Sequence, residues 1–198
     1  MNTKINHCIE GGTSVILIIS GSPRKGGNTD CICNLLKFVL ESLGQEVRMI
    51  RIYDYNISPC TSCRLCLKTK NCSIRDDMDK IVSLLLDASG IIIVSPVFFD
   101  SIPSQLKAFI DRTWSLKGKL KNKIGGVVVV GRRYGHHGAI TTLISFMLKH
   151  EMILGMRGVV TFGFGKKEVI DDVEGLNDVK KLAKRVVELI NIVKKSIP

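Results

Sequence analysis

Continuous apolar runs alternate with stretches of helical period along this chain, and that alternation constrains its fold more than any other feature. Residues 14–20 (SVILIIS) form an apolar run of the kind found in strands buried on both faces. Residues 28–43 follow, with Ile32, Leu35, Leu36, Val39, Leu40 and Leu43 at helical spacing and Gly44 as a stop. Residues 46–52 (EVRMIRI) alternate as a strand does. Residues 75–89 are predicted helical, with Asp76 and Asp77 in the first turn, where carboxylates favour the helix dipole. The third strand is predicted at 91–95, a helix with proline near its start at 103–114, and the fourth strand at 124–130. A long helix over 138–155, a fifth strand over 158–164 and an amphipathic helix over 175–196 complete the chain.

Five strands alternating with five helices predict the α/β class, a parallel sheet covered on both faces. A flavodoxin-like, doubly wound, five-stranded sheet of order 2-1-3-4-5 fits the pattern, with right-handed crossovers. Its ligand crevice would lie at the carboxyl ends of strands one and three. The loop after strand two, residues 56–74, carries most of the cysteines and is expected on that same edge. At 198 residues the chain suits a single domain over 1–198. Residues 1–13 are polar and read as a loose tail, not a signal peptide. The apolar runs are far too short to span a bilayer, and seven cysteines, an odd number, suit a reducing compartment. A cytoplasmic location is therefore expected. Cys8 in the tail, and Cys31 and Cys33 two apart on a helix, are assigned no role, and neither is His150.

Four of the cysteines fall within thirteen residues. Cys60, Cys63, Cys66 and Cys72 have the spacing C-x2-C-x2-C-x5-C. Thiols so close can converge on a compact inorganic core, and [4Fe–4S] clusters are held by four thiolates at similar spacings. Zinc and free thiols are the rival readings. Structural zinc sites usually take two C-x2-C pairs separated by a longer stretch, which this chain lacks.

The first strand runs into Gly21-Ser22-Pro23-Arg24-Lys25-Gly26-Gly27-Asn28-Thr29 and then into a helix. A strand, a polar glycine-bearing loop and a helix N-terminus form an anion site. Backbone N–H groups, the Ser22 and Thr29 hydroxyls, the Asn28 amide and the Arg24 guanidinium can all donate to phosphate oxygens. The loop is neither a Walker A sequence nor G-x-G-x-x-G. No acidic residue at the end of strand two waits for an adenine ribose. A single terminal phosphate, as on FMN, fits better than a triphosphate or a dinucleotide. The third strand ends at Ser95-Pro96, where proline turns the chain outward into an apolar, aromatic stretch suited to a flat ring. After the fourth strand, Gly131, Arg132 and Gly135 belong to a glycine-rich loop on the same edge. Arg132 or His136 there is positioned to approach the anionic N1–O2 side of a reduced flavin.

Taken together, GSPRKGGNT, the cysteine run, DDM at 76–78 and SPVFFDSIPSQLKAFIDR at 95–112 resemble the iron–sulfur flavoproteins. These form a branch of the NADPH-dependent FMN reductase family, and the resemblance covers residues 14–164, most of the chain. It implies that the loop with Ser22, Arg24, Asn28 and Thr29 binds the FMN phosphate. It implies that Pro96, Val97, Phe98, Phe99, Asp100 and Ser101 line the isoalloxazine ring. Phe98 or Phe99 stands where many relatives carry tyrosine. It further implies that Cys60, Cys63, Cys66 and Cys72 bind one [4Fe–4S] cluster, in homodimers or homotetramers.

The net charge is +11, and from Arg112 to His150 there are eight Lys and Arg and no Asp or Glu. Such a field attracts an acidic partner. Nucleic acid is disfavoured because the basic residues are not interleaved with exposed-looking aromatics. The resulting expectation is an oxidoreductase that moves electrons between a one-electron carrier such as ferredoxin and FMN, with a small-molecule acceptor. No side-chain acid, base or nucleophile is required. The alternative is an NAD(P)H-dependent FMN or quinone reductase whose cysteines hold zinc or are idle.

Overall fold

A computed structural model describes residues 14–196. Its strands are β1 (Val15–Ser20), β2 (Glu46–Arg51), β3 (Gly90–Pro96), β4 (Ile124–Gly131), β5 (Ile153–Leu154) and β6 (Val159–Phe162). Its α-helices are α1 (Asn28–Ser42), α2 (Leu65–Thr69), α3 (Met78–Asp87), α4 (Ser104–Arg112), α5 (His136–Lys149) and α6 (Val173–Ser196). The sheet is parallel throughout, in the order β2-β1-β3-β4-β5, with β6 also paired to β4. This is the flavodoxin-like arrangement expected from the sequence, with one extra strand.

The strand sequences explain the layers. Successive strand residues face opposite sides of a sheet. Leu17, Ile19, Ile91, Ile93, Val127 and Val129 face α3, α4 and α5, while Ile16, Ile18, Ile92, Val94, Val128 and Val130 face α1 and α6. Both sets are buried, so no polar position interrupts the runs. Truncating one such isoleucine to alanine costs about 2–5 kcal/mol.

On the β5 and β6 side of the sheet, two boundaries differ from the sequence expectation. The helix predicted to reach residue 155 stops at Lys149. Glu151 takes a left-handed φ of 56°, and the Met152 N–H turns back to the Met147 carbonyl at 3.0 Å. That is a helix-ending turn in which a glutamate fills the place a glycine usually marks. The strand predicted at 158–164 is β6 (Val159–Phe162), and the two-residue β5 (Ile153–Leu154), in the stretch predicted as helix, precedes it on the same side of β4. Leu154 pairs with Gly125 and Val159 with Val128, so five steps on the edge chain face three on β4, and two residues loop out between β5 and β6.

Residues 1–13, read as a loose tail, and Cys8 with them, lie outside the described residues. Among the described residues, no helix is long and apolar enough to cross a membrane.

The connection after β2 takes an unexpected path. It leaves at the carboxyl edge but then runs alongside α4. Gln105, in the first turn of α4, donates to the Tyr55 carbonyl at 3.3 Å, and Arg112, in its last, donates to the Ser58 carbonyl at 2.9 Å. Seven residues of helix carry the chain about 10 Å. The cysteine segment is therefore delivered to the far end of α4 and not to the crevice edge. The physical reason is two side chains at opposite ends of α4, Gln105 and Arg112, which hold the segment's backbone carbonyls along the helix.

Candidate functional site

A cleft of about 620 Å³ opens at the carboxyl ends of β1, β3 and β4. That size suits a cofactor. Ser22, Arg24, Asn28 and Thr29 line it from the loop after β1, Pro96, Val97 and Phe98 from the end of β3, and Gly131 and Arg132 from the end of β4 beside them. Ser22 and Thr29 are buried, while Arg24 and Lys25 are exposed at the mouth. Gly27, at the cap position before α1, provides no side-chain cap, so the first N–H groups of the helix are available to an anion.

The loop that makes this end of the cleft is braced from behind. Arg51, ending β2, donates to the Arg24 carbonyl at 2.7 Å, the Ser22 carbonyl at 3.3 Å and the Asp30 carboxylate at 2.7 Å. Asp30 also accepts the Gly26 N–H at 2.6 Å. Neither Arg51 nor Asp30 belongs to a recognisable motif, and sequence reading missed both. Their proximity arises only when β2 pairs beside β1.

Asn28 has a different use from the one expected. Its amide donates to the Gly165 carbonyl at 2.9 Å and accepts the Val169 N–H at 3.3 Å. Both polar atoms of the amide thus fasten the loop after β6 to the start of α1. That loop contributes Gly163, Phe164, Gly165 and Lys166 to the lining, none of which the sequence reading named. Arg132 lies over the Phe164 ring at 4.1 Å, and Glu168 accepts N–H bonds from Phe164 and Gly165. Those two bonds, with Arg132 nearby, hold the Glu168 carboxyl below the usual carboxylate range.

The wall formed by residues 96–101 is a tight hairpin. Phe98 and Ser101 exchange backbone hydrogen bonds of 2.9 and 3.0 Å, and Phe99 and Asp100 between them have φ of 45° and 56°. Turns of this kind favour Asn-Gly, so a Phe-Asp pair stores strain of order 1–3 kcal/mol. Gly135 backs the turn: a side chain there would meet Asp100 Oδ1 and Val97 at 2.6 Å. Phe98 remains in the cleft, whereas Phe99 is fully exposed and lines, with Asp100 and Tyr134, a neighbouring hollow. Ser101 lies 3.4 Å from the Thr142 hydroxyl. His136 is buried behind Gly131 against Phe162, and its Nε2 has no hydrogen-bond partner.

The four cysteines lie on one segment around the short helix α2, with Ser62, Arg64 and Lys70 in left-handed conformations. Cys60 and Cys63 are exposed, and Cys66 and Cys72 half-buried. Among the described residues, no three His, Cys, Asp or Glu side chains are gathered as a metal site. Hydrogen-bond donors nevertheless reach the sulfurs. The Ser62 N–H lies 3.4 Å from Cys60 Sγ, and Arg112 Nε lies 3.2 Å from Cys72 Sγ. A hydrogen bond with Ser73 leads the influences that lower the Cys63 thiol below its ordinary value. Burial, reinforced by Asp30, pushes the Cys33 thiol up to about 12, which makes it inert.

DDM serves the cysteine segment. The predicted helix at 75–89 begins only at Met78, and Asp76 and Asp77 precede it. Asp76 accepts N–H bonds from Ser58 at 2.9 Å and Met78 at 3.0 Å, and Asp77 accepts from Asn56 at 2.9 Å. The carboxylates thus rejoin the two ends of the segment.

Residues 15–167 match the model of the NADPH-dependent FMN reductase family. The chain belongs to that family. An iron–sulfur flavoprotein of Methanocaldococcus jannaschii is 34% identical over 192 residues, covering 91% of this chain and 99% of the relative. One from Methanosarcina thermophila is 33% identical over 183 residues, covering 90% and 96%. Among solved structures, RosB with bound 8-demethyl-8-formylriboflavin-5'-phosphate matches with a TM-score of 0.77 at 14% identity, covering 92% of this chain and 81% of RosB. A flavodoxin from the domain Archaea matches with a TM-score of 0.59 at 15% identity, covering 89% and 99%. These two likenesses concern the fold. This FMN reductase family member is a flavin-dependent oxidoreductase that uses FMN.

Proposed function

We propose that this chain is an iron–sulfur flavoprotein that passes electrons between a one-electron carrier such as ferredoxin and FMN, with a small-molecule acceptor. The observation that carries the reading is the cleft at the start of α1, where buried Ser22 and Thr29 and the uncapped helix end meet the wall of Pro96, Val97 and Phe98. The phosphate would lie among Ser22, Arg24, Thr29 and the first N–H groups of α1. Asn28 would bound that pocket while it holds the Gly165 loop. The ring would lie against Pro96–Phe98, with Gly131 packed closely beside Val97 and Arg132 offering positive charge. Phe99, Asp100, Ser101 and Gly135 would fix the shape of that wall.

Cys60, Cys63, Cys66 and Cys72 would hold a [4Fe–4S] cluster. Four thiols on one short segment, with donors aimed at two of the sulfurs, are a donor set suited to it. Bound there, FMN would supply two-electron uptake with single-electron release, and a cubane cluster would supply one-electron exchange. The protein's part is to hold both groups, exclude water and set their potentials.

The basic surface supports an acidic partner. Trp114 is flanked by Lys117 at 5.5 Å and Lys149 at 5.3 Å, and Lys149 shares a groove with Cys60 and Cys66. The whole chain would act as one domain in the cytoplasm, as a homodimer or homotetramer. The family description favours a second reading, an NAD(P)H-dependent FMN or quinone reductase. The visible spectrum of anaerobically purified protein, with flavin, iron and sulfide analysis, tests the first. One flavin with iron and sulfide per chain is expected, and zinc without iron would reject the cluster.

A further inference from the structure

Arg112 is the largest fully buried side chain of the molecule's described part, with 1% of its surface exposed. A guanidinium carries five N–H donors, and here every one has a partner. Nε donates to Cys72 Sγ at 3.2 Å. Nη1 donates to the Ser58 carbonyl at 2.9 Å and Asp76 Oδ2 at 2.6 Å. Nη2 donates to the Ile74 carbonyl at 3.1 Å and Asp76 Oδ1 at 3.0 Å.

The partners have a pattern. Ser58 precedes the first of the four cysteines, while Cys72, Ile74 and Asp76 are the last of them or follow it. Asp76 closes the ring by accepting the Ser58 N–H. One buried ion pair therefore ties both roots of the cysteine segment to the end of α4. The tips carrying Cys60 and Cys63 are exposed and held by none of this.

We propose that Arg112 is a positioning residue for the cysteine centre: it fixes the segment's roots, presents Cys72 as the anchored ligand, and raises the centre's reduction potential through its bond to that sulfur. The inference rests on the reading of the four cysteines as cluster ligands. Its physical basis is general. A donor to a ligand sulfur stabilises negative charge there, and reduction adds negative charge, so the reduced state gains more. A purely structural arginine would satisfy the carbonyls and Asp76 and leave the sulfur alone. Lysine in its place keeps the charge but loses the planar fork that reaches sulfur, carbonyls and carboxylate together.

The test compares wild type with Arg112→Lys in two ways. In loaded protein, the cluster potential is measured by spectroelectrochemical titration and its environment by electron paramagnetic resonance. In metal-free full-length protein, alkylation of each cysteine by iodoacetamide is followed by mass spectrometry. With alkylation run above the ordinary thiol value of about 8.5, so that access and not ionisation sets the rate, wild-type Cys72 should react well behind Cys60, and R112K, by freeing the segment's root, should speed it roughly tenfold or more, the scale of one lost charge-assisted hydrogen bond. The R112K potential should fall, with an altered resonance signal. An unchanged potential together with unchanged Cys72 alkylation overturns the proposal. Should R112K fail to retain flavin or fold, wild type alone decides: Cys72 alkylated as fast as Cys60 overturns it. A wild type that takes up no iron under anaerobic reconstitution rejects the cluster reading and the potential-setting role with it. The root-fixing role is then judged by alkylation alone.

Discussion

The Arg51 guanidinium lies 2.7 Å from the Asp30 carboxylate, directly behind the loop that begins the cofactor cleft. Both side chains are mostly buried, with 16% of each exposed. Arg51 therefore cancels a negative charge that would otherwise stand beside a bound phosphate, and it holds the Ser22 and Arg24 carbonyls in place. Arg51→Ala should weaken FMN binding roughly tenfold or more, because it leaves Asp30 unpaired in a half-desolvated place. Adding Asp30→Asn should recover part of the loss, so the two substitutions will not add. Fluorescence titration of the flavin-free variants measures this.

Arg24 and Asn28 should affect flavin by different routes. Arg24 is exposed at the mouth, so Arg24→Ala removes a charge from the phosphate end and should weaken binding with little effect on stability. Asn28 fastens the Gly165 loop, so Asn28→Ala should weaken flavin binding and also loosen that loop. Limited proteolysis near residues 163–168 should be faster in the asparagine variant and unchanged in the arginine variant. Equal flavin affinity in the double variant would remove the phosphate assignment.

Much of this was legible in the sequence, and the rest was hidden for identifiable reasons. Apolar runs such as VILIIS and VVVV announced buried parallel strands, because a strand covered on both faces cannot afford polar positions. GSPRKGGNT announced the cleft because a polar glycine-bearing loop between a strand and a helix N-terminus is a local pattern, legible without tertiary contacts. Arg51, Asp30 and the Gly163–Lys166 stretch were invisible because they reach the cleft only through strand pairing and packing. The stop at Lys149 was missed because Glu151 accepts a left-handed conformation that sequence reading reserves for glycine. Phe99 was expected against the ring, but the turn through Phe99 and Asp100 sends it to solvent. Arg112 was counted as part of a basic stretch, although its charge is spent inside on Asp76.

Acid should loosen the cysteine segment through Asp76. Burial alone would raise its carboxyl, but hydrogen bonds from Arg112 and from the Ser58 and Met78 N–H groups outweigh it and hold the group below the usual carboxylate range. The unfolded chain then binds a proton more readily than the native one. The stabilisation is complete above the unfolded value of about 3.9 and is lost as pH falls through the lower native value. Asp76→Asn should be destabilised by about 3–5 kcal/mol at neutral pH, with a flatter acid limb. Denaturant midpoints at a series of pH values, in metal-free protein, follow both effects.

Surface charge beside the cysteine segment should govern encounter with an acidic carrier. Lys117 and Lys149 flank Trp114, whereas Lys121 is already paired with Glu151 at 2.8 Å. Reversing the charge of Lys117 and Lys149 should slow reduction by ferredoxin at low salt and matter little at high salt, where screening removes the steering. Reversal at Lys121 should have the smaller effect. The flavin and cluster spectra should stay as in wild type.

Anaerobic stopped-flow reduction, followed at flavin and cluster wavelengths with one donor at a time, tests the central claim most directly. Reduced ferredoxin should reduce both centres rapidly at low ionic strength and more slowly as salt rises, while NADPH or NADH alone should reduce the flavin slowly. Rapid reduction by a nicotinamide, with slow reduction by ferredoxin at every salt concentration, would contradict the account and leave a nicotinamide-driven reductase in its place.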